Sequence, residues 1–136
     1  MVADERDVVR LRTNFRHEDV YLFSFKVPQD IMRKVFLDYL KEVNRLKERP
    51  EWYNALTSNC TTDLHSHTAP YNPKARWDWR IIVNGYIDEF MYAQGAIDQS
   101  LPLAELKKRS HINSKANAAG NATNFSARIR EGLPGF

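Results

Sequence analysis

The sequence predicts an α+β fold in which an N-terminal β-hairpin is followed by several helices. Two short segments near the start, residues 8–12 and 20–27, are rich in β-branched and aromatic side chains. The chain then changes to apolar residues at helical spacing. Its 136 residues, 43% hydrophobic and 27% charged, are typical of a single globular domain covering residues 1–136.

The predicted hairpin has too few strands for a stable sheet. Residues 8–12 alternate apolar with basic side chains, and the start of residues 20–27 is apolar on both faces, as in an interior strand. An isolated hairpin is marginally stable and leaves both edges open. We therefore expect either a homodimer formed through the hairpin or a chain that is the C-terminal part of a larger domain, with further strands upstream of Met1.

The helical part of the chain is punctuated by proline and glycine. Pro28 opens the clearest helix, which ends before Pro50 and carries apolar residues at helical spacing: Met32, Phe36, Tyr39, Val43 and Leu46. Further helices are predicted over residues 76–83, 86–93, 102–109 and 126–131. Residues 113–124 are rich in Ala, Asn, Gly and Ser, which predicts a flexible linker.

Composition excludes several classes of function. The net charge is only +3, and the basic residues are scattered among acids, so we predict no nucleic-acid partner. No run approaches the roughly 20 apolar residues of a membrane span, and the first residues lack the apolar core of a signal peptide. A single cysteine excludes an intramolecular disulfide and a multi-cysteine zinc site. We expect neither a cofactor nor a metal.

Cys60 is the residue with the clearest chemical potential. Three capping types, Thr57, Ser58 and Asn59, precede it, so the sequence places Cys60 in the first turn of a helix. There the free backbone N–H groups and the helix dipole favour a thiolate, and the same N–H groups can hold an oxyanion. The alternative is that Cys60 is a small buried apolar residue with no chemistry.

A thiol nucleophile needs a base, and the nearby histidines have unfavourable geometry. On a helix His65 points about 140° away from Cys60, and His67 lies about 10 Å further along the axis. His111 follows a helix and could act on Cys60 with Asn113 as its orienting partner, in the order of papain-like enzymes. A capping or surface role is the alternative for His111.

The most specific segment of the chain is Tyr53-Asn54-Ala55-Leu56-Thr57-Ser58-Asn59-Cys60-Thr61-Thr62. Together with residues 2–14 and with Ser110-His111-Ile112-Asn113, it resembles the C-terminal half of the bacterial Lnb N-terminal periplasmic domain family. The approach to the cysteine also resembles permuted papain-like enzymes related to the NlpC/P60 group.

This resemblance implies a function and a location. It implies that the chain is part of a permuted papain-like fold in the periplasm or cell envelope, with Cys60 as nucleophile flanked by Asn59 and Thr61. It further implies that the catalytic histidine lies upstream of Met1. The expected activity is that of a hydrolase or acyltransferase acting on an acyl, peptide or lipoprotein-type substrate. The alternative is a non-catalytic interaction or structural module.

Overall fold

The computed structural model describes residues 3–52, 60–71, 78–81 and 84–136, without the side chains of Cys60, Thr61, Asp63, Leu64 and Asn84. The chain forms two compact units. We call Met1–Phe25 with Ile97–Phe136 the split unit, because it is built from two stretches of sequence, and Lys26–Ala96 the central unit. Each unit is described by itself.

The split unit begins with a helix where the sequence predicted a strand. Helix α1 spans Glu5–Arg10 and continues as one π-helical turn over Leu11–Phe15. Asp4 is its N-cap, because the Asp4 carboxylate accepts a hydrogen bond of 2.8 Å from the Arg6 N–H. This cap and two acidic residues in the first turn outweigh the small helix penalty of the adjacent valines. The first strand of the predicted hairpin is therefore wrong.

The second predicted strand, residues 20–27, is extended chain without a sheet. It makes two isolated antiparallel bridges, one from Tyr21 to His111 and one from Phe25 to Ile97. Because its partners come from two separate segments, no continuous ladder forms. In the described ranges there is no strand, so the α+β prediction is wrong and the fold is helical. Two further expectations depended on the hairpin and are also wrong: the resemblance to part of a permuted papain-like fold, and a dimer formed through the hairpin edge.

Three helices close the split unit. Helix α5 spans Leu103–Ser110 after Pro102, helix α6 spans Asn113–Ala119, and helix α7 spans Phe125–Arg130. The predictions for residues 102–109 and 126–131 are therefore confirmed to within a residue. Small side chains let α6 and α7 approach closely around one buried cluster, which consists of Ile112, Ala116, Ala119, Phe125, Ile129 and Leu133, with Val9, Val20 and Leu22 packed against it.

The segment predicted to be a linker, residues 113–124, contains helix α6 and places Ala116 and Ala119 in this cluster. Gly120 ends the helix with a positive φ of 53°. Polar composition suggested a loop, but the apolar face of α6 consists of alanines. The mobility of the segment remains a prediction.

The central unit contains the longest helix. Helix α2 spans Gln29–Glu48 directly after Pro28, as predicted. Helix α3 spans Cys60–Thr68, and α4 spans Ile87–Ala93, which confirms the predicted helix over 86–93. Short 3-10 turns lie at Ala69–Tyr71, Trp79–Ile81 and Asn84–Tyr86. Most of the predicted helix over 76–83 falls outside the described residues.

None of the helices in the described ranges is both long and apolar enough to cross a membrane.

Candidate functional site

Cys60 is the first residue of α3 as the structure describes that helix. Thr61 follows it in the same turn, whereas Asn59 lies outside the described residues. The first N–H groups of an α-helix have no partner within the helix. A cysteine in the first turn of a helix, which is the position that the sequence predicts for Cys60, lies beside donors that can stabilise a thiolate or the oxyanion of an acyl-transfer intermediate.

The histidine that returns to the Cys60 face of α3 has another contact. The His67 ring lies 4.6 Å from the Tyr39 ring of α2, measured between centroids. Near the end of α3, the Tyr71 hydroxyl lies 3.4 Å from Asp38 Oδ2, also on α2. These contacts fix His67 as part of the packing between α2 and α3. The sequence-based argument that His67 does not serve Cys60 agrees with this contact.

His111 belongs to the split unit and has a carboxylate partner. Its Nε2 lies 2.9 Å from Asp19 Oδ1. Since an ionised carboxylate only accepts hydrogen bonds, this contact requires a proton on Nε2 of His111. The His111 ring also lies 5.2 Å from the Tyr21 ring, and the Lys107 ammonium lies 5.2 Å from the centre of that ring. The ring of His111 is thus held in one orientation.

Asn113 does not orient His111, contrary to the sequence-based prediction. Its Nδ2 donates a hydrogen bond of 2.8 Å to the Glu18 carbonyl, and its Oδ1 accepts one of 2.9 Å from the Val20 N–H. Both contacts go to backbone groups, so Asn113 fixes the extended segment. Asp19 takes the orienting role instead. The sequence carries no signal for that pair, because the two residues are 92 positions apart.

Among the described residues, the carboxyl groups with a lowered pKa all belong to ion pairs. Hydrogen bonds from Arg130 lower the pKa of Glu5, and hydrogen bonds from Arg80 lower the pKa of Asp78. Arg109 lowers the pKa of Glu105 in the same way. Because a lowered pKa keeps a carboxyl group ionised near neutral pH, these three residues are unsuited to act as general acids.

No group of three or more His, Cys, Asp or Glu side chains gathers to hold a metal within the described part of the chain.

The described residues define a helical protein with a cysteine in helix α3 of the central unit and, in the split unit, a histidine that is oriented by a carboxylate. The model of the Lnb N-terminal periplasmic domain family matches residues 1–85. The chain therefore belongs to the Lnb N-terminal periplasmic domain family, and the predicted envelope location agrees with the periplasmic description of that family.

The matched stretch includes Asn59, Cys60 and Thr61 and ends before His111. The family match does not extend to NlpC/P60-type enzymes, and the predicted likeness to them is not supported. No curated protein and no solved structure matches the chain.

Proposed function

We propose that the chain is a thiol-dependent hydrolase or acyltransferase of the bacterial envelope, with Cys60 as its nucleophile. The observation that carries this proposal is that Cys60 lies in α3, within the stretch that matches the family. The sequence predicts Cys60 in the first turn of that helix, where the helix N-terminus supplies the positive potential that favours a thiolate. Asn59 and Thr61 flank the nucleophile in the sequence, as the family resemblance implies.

The reaction would proceed in two steps. The Cys60 Sγ attacks the acyl carbon of an amide or ester, and the tetrahedral intermediate places its oxyanion against the first N–H groups of α3. Collapse breaks the bond to the amine or alcohol, which leaves with the proton that the base took from the thiol. Water then releases the acyl group from Cys60 in a hydrolase, and an acceptor amine releases it in an acyltransferase.

The base is the open part of this proposal. Within this chain His111 is the candidate that the sequence offers, and Asp19 orients its ring. His67 is already packed on Tyr39 and is not part of the proposal.

Alkylation of the full chain by iodoacetamide, followed by mass spectrometry, tests the nucleophile without a known substrate. We expect Cys60 to react at pH values where a free thiol is mostly protonated, since a helix N-terminus stabilises the thiolate. Asn59→Ala should slow the reaction several-fold if Asn59 shapes the helix start, and Cys60→Ser should abolish labelling. An alkylation rate that follows a free thiol at every pH would contradict the proposal and favour a non-catalytic module.

An activated ester tests the acyl-transfer step directly. With p-nitrophenyl acetate we expect release of nitrophenolate together with an acetyl group covalently bound to Cys60. Cys60→Ser should remove both signals without loss of helical circular dichroism. His111→Ala distinguishes the two bases: loss of acylation identifies His111, and unchanged acylation assigns the proton transfer to another group. No acyl adduct on a reactive, accessible Cys60 would remove the transferase and hydrolase assignment.

A further inference from the structure

The outer side of α7 carries polar residues at helical spacing. Asn124, Arg128 and Glu131 are separated by four and three residues, so they lie on one side of the helix and its two cap positions. Phe125 and Ile129 occupy the buried side. The three polar residues are all exposed to solvent. The sequence of α7 therefore places an amide, a base and an acid together on its outer side.

A cleft of about 600 Å³ lies along this outer side of α7. On the helix it is lined by Ala127 together with the three polar residues, and after the helix by Gly132 and Phe136. Its volume is within the range of about 300–1,000 Å³ that small-molecule sites have. All of these residues belong to the split unit and lie beyond the stretch 1–85 that matches the family. The cleft is therefore a separate candidate site from Cys60.

The Phe136 wall of the cleft is held by contacts within the split unit. The Arg130 guanidinium lies 5.6 Å from the centre of the Phe136 ring and donates hydrogen bonds of 2.6 and 2.8 Å to Glu5. Gly132 and Gly135 have positive φ values of 68° and 80°, which allow the chain to turn after α7. The Phe136 ring is still 53% exposed, so a ligand can contact it. Binding on this wall requires little ordering of the chain.

The charges on the helix side of the cleft are not neutralised by the protein. Within the ranges that the structure describes, the side chains of Arg128 and Glu131 make no ion pair or hydrogen bond, either with each other or with another residue. Arg130 differs, because Glu5 neutralises it. A cleft with one unpaired cation and one unpaired anion is complementary to a ligand that carries both charges.

We propose that this cleft binds an apolar dipeptide as a zwitterion. Arg128 binds the carboxylate, Glu131 binds the ammonium group, and Asn124 hydrogen-bonds the central peptide group. Ala127 and Phe136 contact the apolar side chains of the ligand. Residues three apart on a helix have Cβ atoms about 5–6 Å apart, and two extended residues span at most about 7 Å, so the two ends of a dipeptide reach both charges.

Titration of the full chain with leucyl-leucine, followed by NMR, tests the site. We expect saturable binding that shifts the amide signals of Gly132 and Phe136, and that Arg128→Gln and Glu131→Gln each weaken at least several-fold. Lys108→Gln is the matched control, because Lys108 is exposed on α5 and does not line the cleft. The proposal is wrong if leucyl-leucine does not saturate, if the four proteins bind it equally, or if the shifts lie outside residues 124–136.

Ligands that lack one charge assign each contact. N-acetyl-leucyl-leucine has lost the ammonium group, so it should bind the wild type and Glu131→Gln equally weakly. Leucyl-leucinamide has lost the carboxylate, so it should not distinguish the wild type from Arg128→Gln. Glycylglycine keeps both charges without apolar side chains and should bind several-fold more weakly than leucyl-leucine. Full affinity of the wild type for the N-acetylated dipeptide would reduce the cleft to a simple anion site and overturn the proposal.

Discussion

The two units of this chain use their helices in opposite ways. Helix α7 of the split unit has only six residues, yet Phe125 and Ile129 are at most 1% exposed. Helix α2 of the central unit has 20 residues, and none of them is buried. The difference shows that length and periodicity predict where a helix forms, but not whether other segments pack on its apolar face and bury it. In the split unit the cover comes from segments more than a hundred positions apart in sequence, as the contact between Glu5 and Arg130 shows.

The largest expected effect is a cavity in the core of the split unit. Ile129→Ala should lower the free energy of unfolding by about 3–4 kcal/mol, since the side chain is fully buried among close-packed neighbours. Leu37→Ala in α2 should change it by about 0.5 kcal/mol or less, because Leu37 is exposed and alanine is a good helix former. Denaturant unfolding measures both. Equal costs would break the distinction between a covered and an uncovered helix.

Backbone conformation gives the next largest effect in the split unit. Gly135 has a φ of 80°, and a Cβ added there would lie 2.9 Å from the Ser24 Cβ. Gly135→Ala should therefore destabilise by about 2–3 kcal/mol, from left-handed strain plus the clash. Gly132 also has a positive φ but meets nothing within 4 Å, so Gly132→Ala should cost only about 1 kcal/mol. If the two variants melt at the same temperature, the close approach to Ser24 contributes nothing.

The ion pair that joins the two stretches of the split unit gives a smaller, pH-dependent effect. Arg130 donates hydrogen bonds of 2.6 and 2.8 Å to the two oxygens of Glu5 and lowers the pKa of that carboxyl from 4.5. Because the pKa of Glu5 is lower in the folded state, the ion pair stabilises the fold at pH values above the unfolded-state pKa. This contribution is lost as the pH falls through the folded-state pKa. Glu5→Gln should cost about 1 kcal/mol at pH 7 and progressively less below pH 4.5.

The control for this pair is Glu105, whose contact with Arg109 is more exposed to solvent, with side chains that are 40% and 57% exposed. Exposed pairs within one helix contribute little to stability, so Glu105→Gln should have no measurable effect at either pH. A difference between wild type and Glu5→Gln that grows on acidification would contradict the assigned role of Glu5.

The smallest expected effect concerns an unsatisfied buried hydroxyl group in the split unit. The Ser110 hydroxyl is fully buried and has no hydrogen-bond partner in the described part of the chain. Ser110→Ala removes an unsatisfied polar group, so it should leave stability unchanged or raise it by up to about 1 kcal/mol. Thr13→Val is the contrasting change, because the Thr13 hydroxyl is paired with the Val9 carbonyl at 3.0 Å. It should destabilise by about 1 kcal/mol, and thermal melts separate the two outcomes.

Local signals in the sequence predicted α2, α4, α5 and α7, but not α1 or α6. Pro28 and Pro102 precede α2 and α5, and Gly95 follows α4, because these residues act on the backbone within one turn. The family resemblance was also predicted from the segment around Cys60 and is confirmed by the match over residues 1–85. The chemistry of Cys60 stays a prediction.

The sequence could not predict features that depend on distant partners. Residues 8–12 alternate like a strand, but they form a helix with Asp4 as its N-cap and a π-helical turn at its end. Val9 of this helix packs on a cluster built mainly from residues beyond 110. Tyr21 and Phe25 lie in extended chain, but their bridge partners His111 and Ile97 belong to different segments, so no sheet follows. The same distance hides Asp19 as the partner of His111.

The split unit also has a consequence during biosynthesis. Glu5 and Arg130 are 125 residues apart, so at about 5–20 residues per second Arg130 is made roughly 6–25 seconds after Glu5. The whole of Lys26–Ala96 is synthesised in between. Until α6 and α7 leave the ribosome, Val9, Val20 and Leu22 have none of their core partners. The nascent chain therefore exposes this apolar segment for several seconds. During that time the segment is a binding site for a chaperone that holds unfolded chains.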